Sequence, residues 1–303
     1  MKYLIIVNPV AGGTDHTQEI RQKAEAAFRD RPGDSYEIYV TKYKGDETRA
    51  ARECAESGEE YRILACGGDG TFNGCCNGAA GHGNVAVSPF PTGTGNDFCR
   101  MFGEQKDLYR DMNAILDGTT RPIDLASVNG LYCACIASCG FDARVGCNVH
   151  KYTHLPLCKG AGGYVASLIV ELTRGFLMNM RVTCGDFSYA GPATLCCICN
   201  GRHYGGGFNP SPDARPDDGI LDIYLIKKVN LLTFLTKIGK YKNGRVEETG
   251  LATHLRSDRI SIFFDEETVI NCDGEILRDS KAEILLHHNC MNLIVPKGVT
   301  FFD

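Results

Sequence analysis

Apolar residues in the first part of the chain form four short runs that polar stretches separate. The runs are YLIIV (3–7), SYEIYVT (35–41), RILAC (62–66) and NVAVSPF (84–90). The polar stretches at 19–28 and 45–58 have helical character. Strands that alternate with helices in this way predict a parallel, doubly wound sheet with buried strands. We therefore predict an α/β, Rossmann-like fold for this half.

The pattern changes near residue 122, where short strand-like runs begin to alternate with turn signals. These signals are Asn-Gly, Asp-Gly and similar polar turns at 129–130, 186, 200–201, 217–219, 243–244 and 273–274. Turns at this spacing predict a mainly antiparallel second domain. One helix is predicted within it, at about 163–174.

Composition narrows the class of protein. The chain has 303 residues, a net charge of −5 and 16 cysteines. This length suggests two domains, and the acidic balance argues against a nucleic-acid-binding protein. The cysteines lie in apolar runs and the N-terminal apolar run is too short for a signal peptide, which indicates reduced thiols in a cytoplasmic protein. The pair Cys196 and Cys199 could instead bind a metal or act in redox chemistry, although no second pair lies at zinc-ribbon distance.

Three glycine-rich stretches directly follow predicted strands: NPVAGG (8–13), GGDGT (67–71) and PTGTGND (91–97). The carboxyl ends of parallel strands share one edge of the sheet, where ligands bind. Glycines allow backbone N–H groups to approach a polyanion, and the helix expected to begin near Thr71 directs its positive end to the same place. The alternative is that all three are ordinary strand-to-helix turns.

Asp69 lies inside the second glycine loop, where a negative charge is unexpected. A carboxylate ~4 Å from a phosphate charge is repelled by about 4 kcal/mol at an effective dielectric constant of ~20. Either Asp69 turns away or a divalent cation lies between the two charges. The Walker sequence is absent, Phe98 replaces the third glycine of a dinucleotide fingerprint, and protein-kinase motifs are lacking.

Six segments together resemble the diacylglycerol kinase catalytic-domain family, which includes YegS-like lipid kinases and is related to sphingosine and ceramide kinases. They are NPVAGG (8–13), GGDGTFNG (67–74), PTGTGNDFCR (91–100), GFDARV (140–145), NGRHYGGGFNPSPDARPDDGILD (200–222) and CDGE (272–275). GGDGT also occurs in NAD kinases and phosphofructokinases, whereas PDARPDDGILD and DGE separate the chain from NAD kinases. The resemblance covers nearly the whole chain.

The resemblance implies two domains and a reaction. An NAD kinase-like nucleotide-binding domain would span 1–125 with a C-terminal return at about 292–303, and a β-sandwich lipid-substrate domain would span 126–291. ATP would lie between them and, with Mg²⁺, phosphorylate a lipid hydroxyl. Diacylglycerol is the leading substrate, which would yield phosphatidic acid. Sphingosine, monoacylglycerol or a prenol stay open as substrates. A non-catalytic nucleotide sensor that binds membranes and an NAD kinase are rival interpretations. A homodimer is also allowed.

The resemblance further implies which residues carry the chemistry. The general base would be Glu275, with Asp273 beside it and Asp69 in the catalytic set. The nucleotide would contact Asn8, Pro9, Thr41, Gly67, Gly68, Asp69, Gly70, Thr71, Phe72, Asn73, Thr92, Gly93, Thr94, Gly95, Asn96 and Asp97. The catalytic Mg²⁺ would be held through water by Asp69, Asp97 and Asp124. A structural Mg²⁺ would be held by Asp218 and the carbonyl groups of Arg215 and Ile220. From the residues alone, the segments at 217–219 and 273–275 could equally be ordinary turns.

The segment LLTFLTKIGKYKNGR (231–245) is the candidate membrane contact. No apolar stretch approaches the ~20 residues that cross a bilayer, so any membrane association would be peripheral, at the inner face. Leu231, Leu232, Leu235 and Ile238 can share one face of a helix, and four basic residues follow: Lys237, Lys240, Lys242 and Arg245. Such a helix can lie on an anionic membrane. Alternatively, its apolar face packs on the second domain.

Overall fold

The computed structural model describes residues 1–152, 167, 170–172 and 175–303 and divides the chain into two units. The first unit contains Met1–Leu125, Pro216–Asp218 and His287–Asp303, and the second contains Ala126–Arg215 and Gly219–Leu286. The predicted helix at 163–174 falls mostly outside the described residues. The assignment of a nucleotide to 1–125 with 292–303, and of a lipid to 126–291, stays a prediction.

Parallel strands with intervening helices build the first unit, as the alternating pattern predicts. The strands pair in the order β2-β1-β3-β4-β13, and every pair is parallel. They are β1 (Lys2–Val7), β2 (Ser35–Val40), β3 (Tyr61–Gly67), β4 (Val85–Pro91) and the end of β13 (Glu275–Val295). The helices are α1 (Thr17–Phe28), α2 (Asp46–Glu56), α3 (Asp69–Ala79), α4 (Asp97–Arg100) and α5 (Met112–Leu116). Short 3₁₀ helices are Ala11–Gly13 and Gly103–Arg110.

The helix α1 shows why these sequences fold as they do. Its buried residues are Ile20, Ala24, Ala27 and Phe28, which recur at helical spacing and face the sheet. Burial of a side chain such as Ile20 or Phe28 stabilises the fold by roughly 1.5–3 kcal/mol each. The same core contains the strand residues Tyr3, Ile5, Val7, Leu64, Cys66, Phe90 and Ile294.

Antiparallel strands build the second unit, and the predicted fold class, α/β with a mainly antiparallel sandwich-like second domain, is confirmed. Its elements are β5 (Thr119–Val128), which begins in the first unit, β6 (Leu131–Cys133), β7 (Ile136–Gly140), α6 (Phe141–Tyr152), β8 (Met178–Cys184), β9 (Phe187–Cys199), β10 (Leu221–Lys227), α7 (Leu231–Lys242), a 3₁₀ helix (Glu247–Thr249), β11 (Ala252–Ser257), β12 (Arg259–Cys272) and the start of β13. Strand β9 lies between β7 and β10, and β12 pairs with β7, β8 and β13.

Two hairpins of the second unit turn at the predicted Asn-Gly and Asp-Gly pairs. Asn129 and Gly130 have φ values of 49° and 90°, and Asp273 and Gly274 have the same values. Positive φ at both central residues is the requirement of the tight hairpin turn that these pairs favour. Local turn chemistry therefore sets the register of both hairpins.

The cysteines of the described residues are all free thiols, and all except Cys147 and Cys290 are buried. Burial raises the pKa of several of these thiols, among them Cys54 (to about 11), Cys66, Cys75 and Cys99, and so lowers their reactivity in the folded chain. Cys196 and Cys199 are three residues apart in β9, and successive strand side chains alternate between faces. This pair therefore cannot present both sulfurs to one metal from a single face.

Candidate active site

Parallel pairing brings the ends of several strands to one edge of the first unit. The strands β1, β2 and β3 end in register because Val7 pairs with both Val40 and Cys66. Gly67 at the end of β3 pairs with Pro91 at the end of β4. The residues that follow these four ends are Asn8, Thr41, Gly68 and Thr92. They occupy the carboxyl edge of the sheet, where open α/β sheets bind their ligands.

Asn8 joins the first glycine loop to the second. Its backbone N–H donates to the carbonyl of Cys66 at 2.9 Å, and its side-chain amide donates to Oγ1 of Thr71 at 3.1 Å. Its Oδ1 accepts a hydrogen bond from the backbone N–H of Val10 at 3.1 Å. Both ends of the Asn8 side chain therefore help to fix the shape of the site.

Close contacts between the three loops leave no room for side chains at several glycines. A Cβ atom on Gly93 would lie 2.6 Å from the Cα of Gly68, and one on Gly12 would lie 2.5 Å from the carbonyl oxygen of Thr92. Gly12 also has a φ of 68°, which side chains rarely adopt. All three glycine loops thus meet in one place, as the sequence predicts.

The helix α3 begins at Asp69, two residues before the predicted start at Thr71. The backbone N–H groups of Thr71 and Phe72 both donate to the carbonyl of Gly68 at 3.1 Å. The positive end of the helix therefore lies at the glycine loops, and a helix N-terminus of this kind favours phosphate groups.

The carboxylate of Asp69 turns toward a second helix start. Its Oδ1 accepts hydrogen bonds from the backbone N–H groups of Asp97 at 2.5 Å and Phe98 at 3.4 Å, at the beginning of α4. Burial raises the pKa of Asp69, although these amide donors act in the opposite direction. Oδ1 therefore turns away from the glycine loop, which leaves only Oδ2 for the second explanation offered by the sequence, a divalent cation.

The other oxygen of Asp69 packs closely against Gly95. A Cβ atom on Gly95 would lie 2.6 Å from Oδ2 of Asp69 and 3.9 Å from Oδ2 of Asp97. Arg100 borders this region, since its Nε donates to the carbonyl of Gly95 at 2.8 Å and lies 3.4 Å from Oδ1 of Asp97. Two carboxylate oxygens therefore lie close to Gly95, and a side chain at that position would displace the carboxylate of Asp69. Oxygen donors of this kind are what Mg²⁺ prefers.

Exposure separates the predicted nucleotide contacts into two groups. Ten are at least partly exposed: Asn8, Pro9, Gly68, Asp69, Gly70, Thr92, Gly93, Thr94, Gly95 and Asn96. Six are buried: Thr41, Gly67, Thr71, Phe72, Asn73 and Asp97. Phe72 packs against Phe98 with ring centroids 4.5 Å apart, so its side chain supports the loops from within.

Asp124, a predicted member of the magnesium network, is fully buried in the first unit. Its Oδ1 accepts a hydrogen bond from the backbone N–H of Asn289 at 2.8 Å and lies 2.8 Å from Nδ1 of His288. Its backbone N–H donates to the carbonyl of Pro216 at 2.6 Å. Asp124 thus joins β5 to the C-terminal return and to the segment Pro216–Asp218, which gives it a structural role.

A charged network around Asp46, next to Thr41, was missed by sequence reasoning. Asp46 is fully buried and accepts hydrogen bonds from the hydroxyl of Tyr39, the backbone N–H of Lys42 and the guanidinium of Arg49. Burial raises the pKa of Asp46, but these donors outweigh burial and lower it to about 2. The network fixes the turn that carries Thr41. The only sequence signal was an Asp followed three residues later by Arg.

The Asp-Gly-Glu segment forms the hairpin between β12 and β13 in the second unit, where Cys272 pairs with Glu275. The carboxylate of Asp273 points inward and accepts hydrogen bonds at 2.6, 2.9 and 2.8 Å from the backbone N–H groups of Ala134, Cys135 and Ile136. Burial raises the pKa of Asp273 despite these donors. Asp273 therefore anchors the hairpin, and Glu275, which is partly exposed, follows at the start of β13.

Two family models account for most of the chain. The diacylglycerol kinase catalytic domain matches residues 2–128, and the YegS C-terminal NAD kinase β-sandwich-like domain matches residues 135–295. The chain belongs to the family of YegS-like lipid kinases and bacterial diacylglycerol kinases. The resemblance drawn from the six sequence segments is thereby confirmed, and so is the expectation of an enzyme, a lipid kinase.

Relatives match the chain over nearly its full length. A probable YegS-like lipid kinase of Stenotrophomonas maltophilia is 30% identical, with 98% of this chain and 97% of the relative covered. A diacylglycerol kinase of Bacillus subtilis is 28% identical, with 97% and 96% covered. A crystal structure of a candidate diacylglycerol kinase from Bacillus anthracis has a TM-score of 0.77 at 28% identity, covering 99% of this chain and 98% of that one.

The metal positions that the resemblance implies stay predictions. No group of three or more His, Cys, Asp or Glu side chains in that part of the chain is arranged to hold a metal ion. Asp218 belongs to the first unit, and Arg215 and Ile220 belong to the second. A structural Mg²⁺ at these three residues stays a prediction.

The helix α7 carries the segment that the sequence offered as a membrane contact. Ile238 packs inward with Phe234 on Phe141 and Val145, whereas Leu231, Leu232 and Leu235 are exposed. The predicted shared face is therefore divided, because Ile238 lies at the edge of the arc that faces the core. No helix in the described part of the chain is long and apolar enough to cross a membrane.

Proposed function

We propose that this family member is an ATP- and Mg²⁺-dependent lipid kinase that converts diacylglycerol to phosphatidic acid. The observation that carries the proposal is the meeting of three glycine loops at the N-terminus of α3, with backbone contacts too close for side chains at Gly12 and Gly93. Such an arrangement suits the phosphate groups of a nucleotide. The proposed place of action is the cytoplasm, at the inner face of the membrane.

The exposed part of the loops would hold the triphosphate. The backbone of Gly68, Asp69 and Gly70 lies at the start of α3, so its N–H groups can approach the phosphates without obstruction. Thr94 is exposed and Thr92 is partly exposed on the neighbouring loop, and both offer hydroxyl groups. The buried residues Thr41, Phe72 and Asn73 would act mainly by supporting these loops.

Mg²⁺ would be held by the carboxylates of Asp69 and Asp97. Oδ2 of each lies close to Gly95, and both are hard oxygen donors. When bound, the ion would neutralise phosphate charge during transfer. Asp69 would thus use Oδ1 to hold α4 in place and keep Oδ2 for the ion. Asp124 would contribute only by fixing the surrounding backbone.

Glu275 is the proposed general base. As the lipid hydroxyl oxygen forms its bond to the γ-phosphorus, its proton passes to the carboxylate of Glu275, and the bond to the bridging oxygen of the departing ADP breaks. Asp273 would act as a positioning residue, because its carboxylate is already engaged by three backbone amides. This differs from the sequence prediction, which placed Asp273 in the catalytic set.

The test is phosphate transfer from radiolabelled ATP to a panel of lipid alcohols, with the Glu275→Gln variant as comparison. We expect diacylglycerol to be labelled, and the variant to lose about 10²–10⁴-fold in turnover because the proton acceptor is removed. Glu283→Gln is the matched control, since Glu283 lies exposed on the same strand and its carboxylate accepts a hydrogen bond from the hydroxyl of Ser261 at 2.7 Å.

Two results would contradict the proposal. Transfer to sphingosine, monoacylglycerol or a prenol but not to diacylglycerol would retain the kinase and change the substrate. Full turnover by the Glu275→Gln variant would remove Glu275 from the mechanism.

A further inference from the structure

The exposed leucines of α7 form an apolar surface that the fold does not need. Nine large hydrophobic side chains are exposed among the described residues, and three of them lie within the five positions 231–235. They are Leu231, Leu232 and Leu235, with exposed fractions of 40%, 73% and 44%. We call these three residues the leucine surface. Single exposed leucines are ordinary, whereas a cluster on one helix marks an interaction site.

The opposite side of α7 is firmly attached to the second unit. The ring of Phe234 lies 5.5 Å from that of Phe141, and the hydroxyl of Tyr241 bonds to that of Tyr204 at 2.8 Å. Residues 234, 238 and 241 thus recur at helical spacing on the packed face. The leucine surface is therefore held rigidly outward and is not a loosely packed part of the core.

The segment that carries the leucine surface is rich in positive charge. Residues 223–246 contain no Asp or Glu, in a chain whose net charge is −5. The six cations of this segment are Lys227, Lys228, Lys237, Lys240, Lys242 and Arg245. Glu248 pairs with Lys240 at 3.1 Å and lies 3.9 Å from Arg245, so it offsets part of this charge. Lys242 follows Leu235 by seven residues and therefore lies on the same helix face.

An apolar cluster bordered by basic residues is suited to binding an anionic lipid bilayer. A second copy of this chain that used the same surface would bring like charges together, which favours the bilayer as the occupant. We propose that Leu231, Leu232 and Leu235 insert into the interface of an anionic membrane while the neighbouring lysines contact its headgroups. This inference rests on the proposed function in one respect, because a lipid kinase must collect its substrate from a membrane.

The experiment measures vesicle flotation of the full chain with phosphatidylcholine vesicles that contain or lack phosphatidylglycerol. The variant is Leu231→Gln with Leu235→Gln. The control is Phe263→Gln with Leu285→Gln, because these side chains are similarly exposed, at 39% and 42%, elsewhere in the second unit. We expect the variant to bind anionic vesicles at least about tenfold more weakly and the control to bind like the original chain.

A second variant tests whether positive charge contributes to membrane binding. Lys242→Gln should weaken binding to anionic vesicles by about fivefold, and added salt should weaken it further. Vesicles without phosphatidylglycerol should show neither effect. Thermal unfolding of each variant confirms that it is folded before binding is compared.

The results of these experiments distinguish failure of this inference from failure of the proposed function. Unchanged vesicle binding by the leucine variant overturns the inference, whatever the kinase activity. A leucine variant that changes from dimer to monomer in sedimentation, with vesicle binding intact, overturns it in favour of a self-association surface. If the leucines support vesicle binding but no lipid is phosphorylated, the membrane surface stands and the proposed function fails. Turnover of a water-soluble short-chain diacylglycerol should fall less than twofold in the leucine variant.

Discussion

The two carboxylate oxygens of Asp69, in the first unit, make different contacts. Oδ1 of Asp69 accepts hydrogen bonds at the start of α4, while Oδ2 packs against Gly95. In the proposed site, Oδ2 would hold a cation, so that the charge of Asp69 is screened from the phosphates. Whether Oδ2 holds an ion can be tested by displacing it.

Gly95→Ala places a methyl group against the carboxylate of Asp69. The new Cβ would lie 2.6 Å from Oδ2 of Asp69, so the carboxylate must move. We expect turnover to fall at least about tenfold, because misplaced charge-stabilising groups cost on this order. The measurement is the Mg²⁺ dependence of phosphate transfer, which should shift to higher Mg²⁺ concentrations. Gly83→Ala is the matched control, since nothing lies within 4 Å of its Cβ position. Unaltered Mg²⁺ dependence in Gly95→Ala would argue against an ion there.

A buried carboxyl in the second unit makes stability depend on pH. Burial raises the pKa of Asp142 to about 6, and the hydroxyl of Tyr204, which donates to Oδ2 at 2.8 Å, offsets only part of this effect. The native state therefore binds a proton that the unfolded chain releases near pH ~4. The contribution of the Asp142 carboxyl to the free energy of unfolding is complete below that pH and is lost as the pH rises through about 6.

Asp142→Asn should remove this pH dependence. The original chain should lose about 3 kcal/mol of unfolding free energy between pH ~4 and pH ~7 from this one group, and the variant should not. Urea unfolding at several pH values measures the difference between the two slopes. Equal slopes for the two proteins would mean that Asp142 is not protonated in the native state.

At the scale of elements, the hairpin from Cys272 to Glu275 links turn chemistry to function. Asp273 supplies the positive φ that the turn needs and also accepts three backbone hydrogen bonds. The proposed base, Glu275, follows it at the start of β13. Its orientation therefore depends on an anchor two residues away.

Asp273→Ala should remove the anchor. Three amide N–H groups lose their acceptor, and we expect a loss of about 3 kcal/mol in stability together with a large loss of turnover. Asn129→Ala is the matched control, because Asn129 has the same φ in another Asn-Gly hairpin and its Oδ1 accepts from Glu283 N–H at 2.8 Å. The control should lose stability but keep its turnover when folded. Urea unfolding and kinase assays give the two quantities, and equal losses of turnover in both variants would contradict the positioning role.

The elements also show what a sequence can and cannot reveal. The strands, the two tight hairpins and the meeting of the glycine loops follow from local patterns, because each depends on residues close together in the chain. The orientation of Asp69 depends on amides 28 and 29 residues away, which no local pattern contains. The periodic apolar residues of α7 could not reveal that Phe234 and Tyr241 fill the core side and leave three leucines outside.

For the whole molecule, the two family models and the long matches to relatives establish a lipid kinase, and the residues refine this picture. Length and turn spacing indicated two parts, and contacts within the chain divide it into two units whose segments are not contiguous in sequence. The return of His287–Asp303 to the first unit depends on β13 pairing with β4, a contact between distant residues. Hydrophobic patterning alone cannot predict such a pairing.

The thiols impose a condition on how this enzyme can be handled. While the cores stay closed, desolvation keeps the sulfurs protonated and out of reach of oxidants. Once heat or denaturant unfolds the cores, each chain exposes more than a dozen cysteine thiols at once. Random disulfide cross-linking should then be faster than refolding. Without a reductant, the lifetime of the folded enzyme should therefore be set by the rate of unfolding and not by the folding equilibrium.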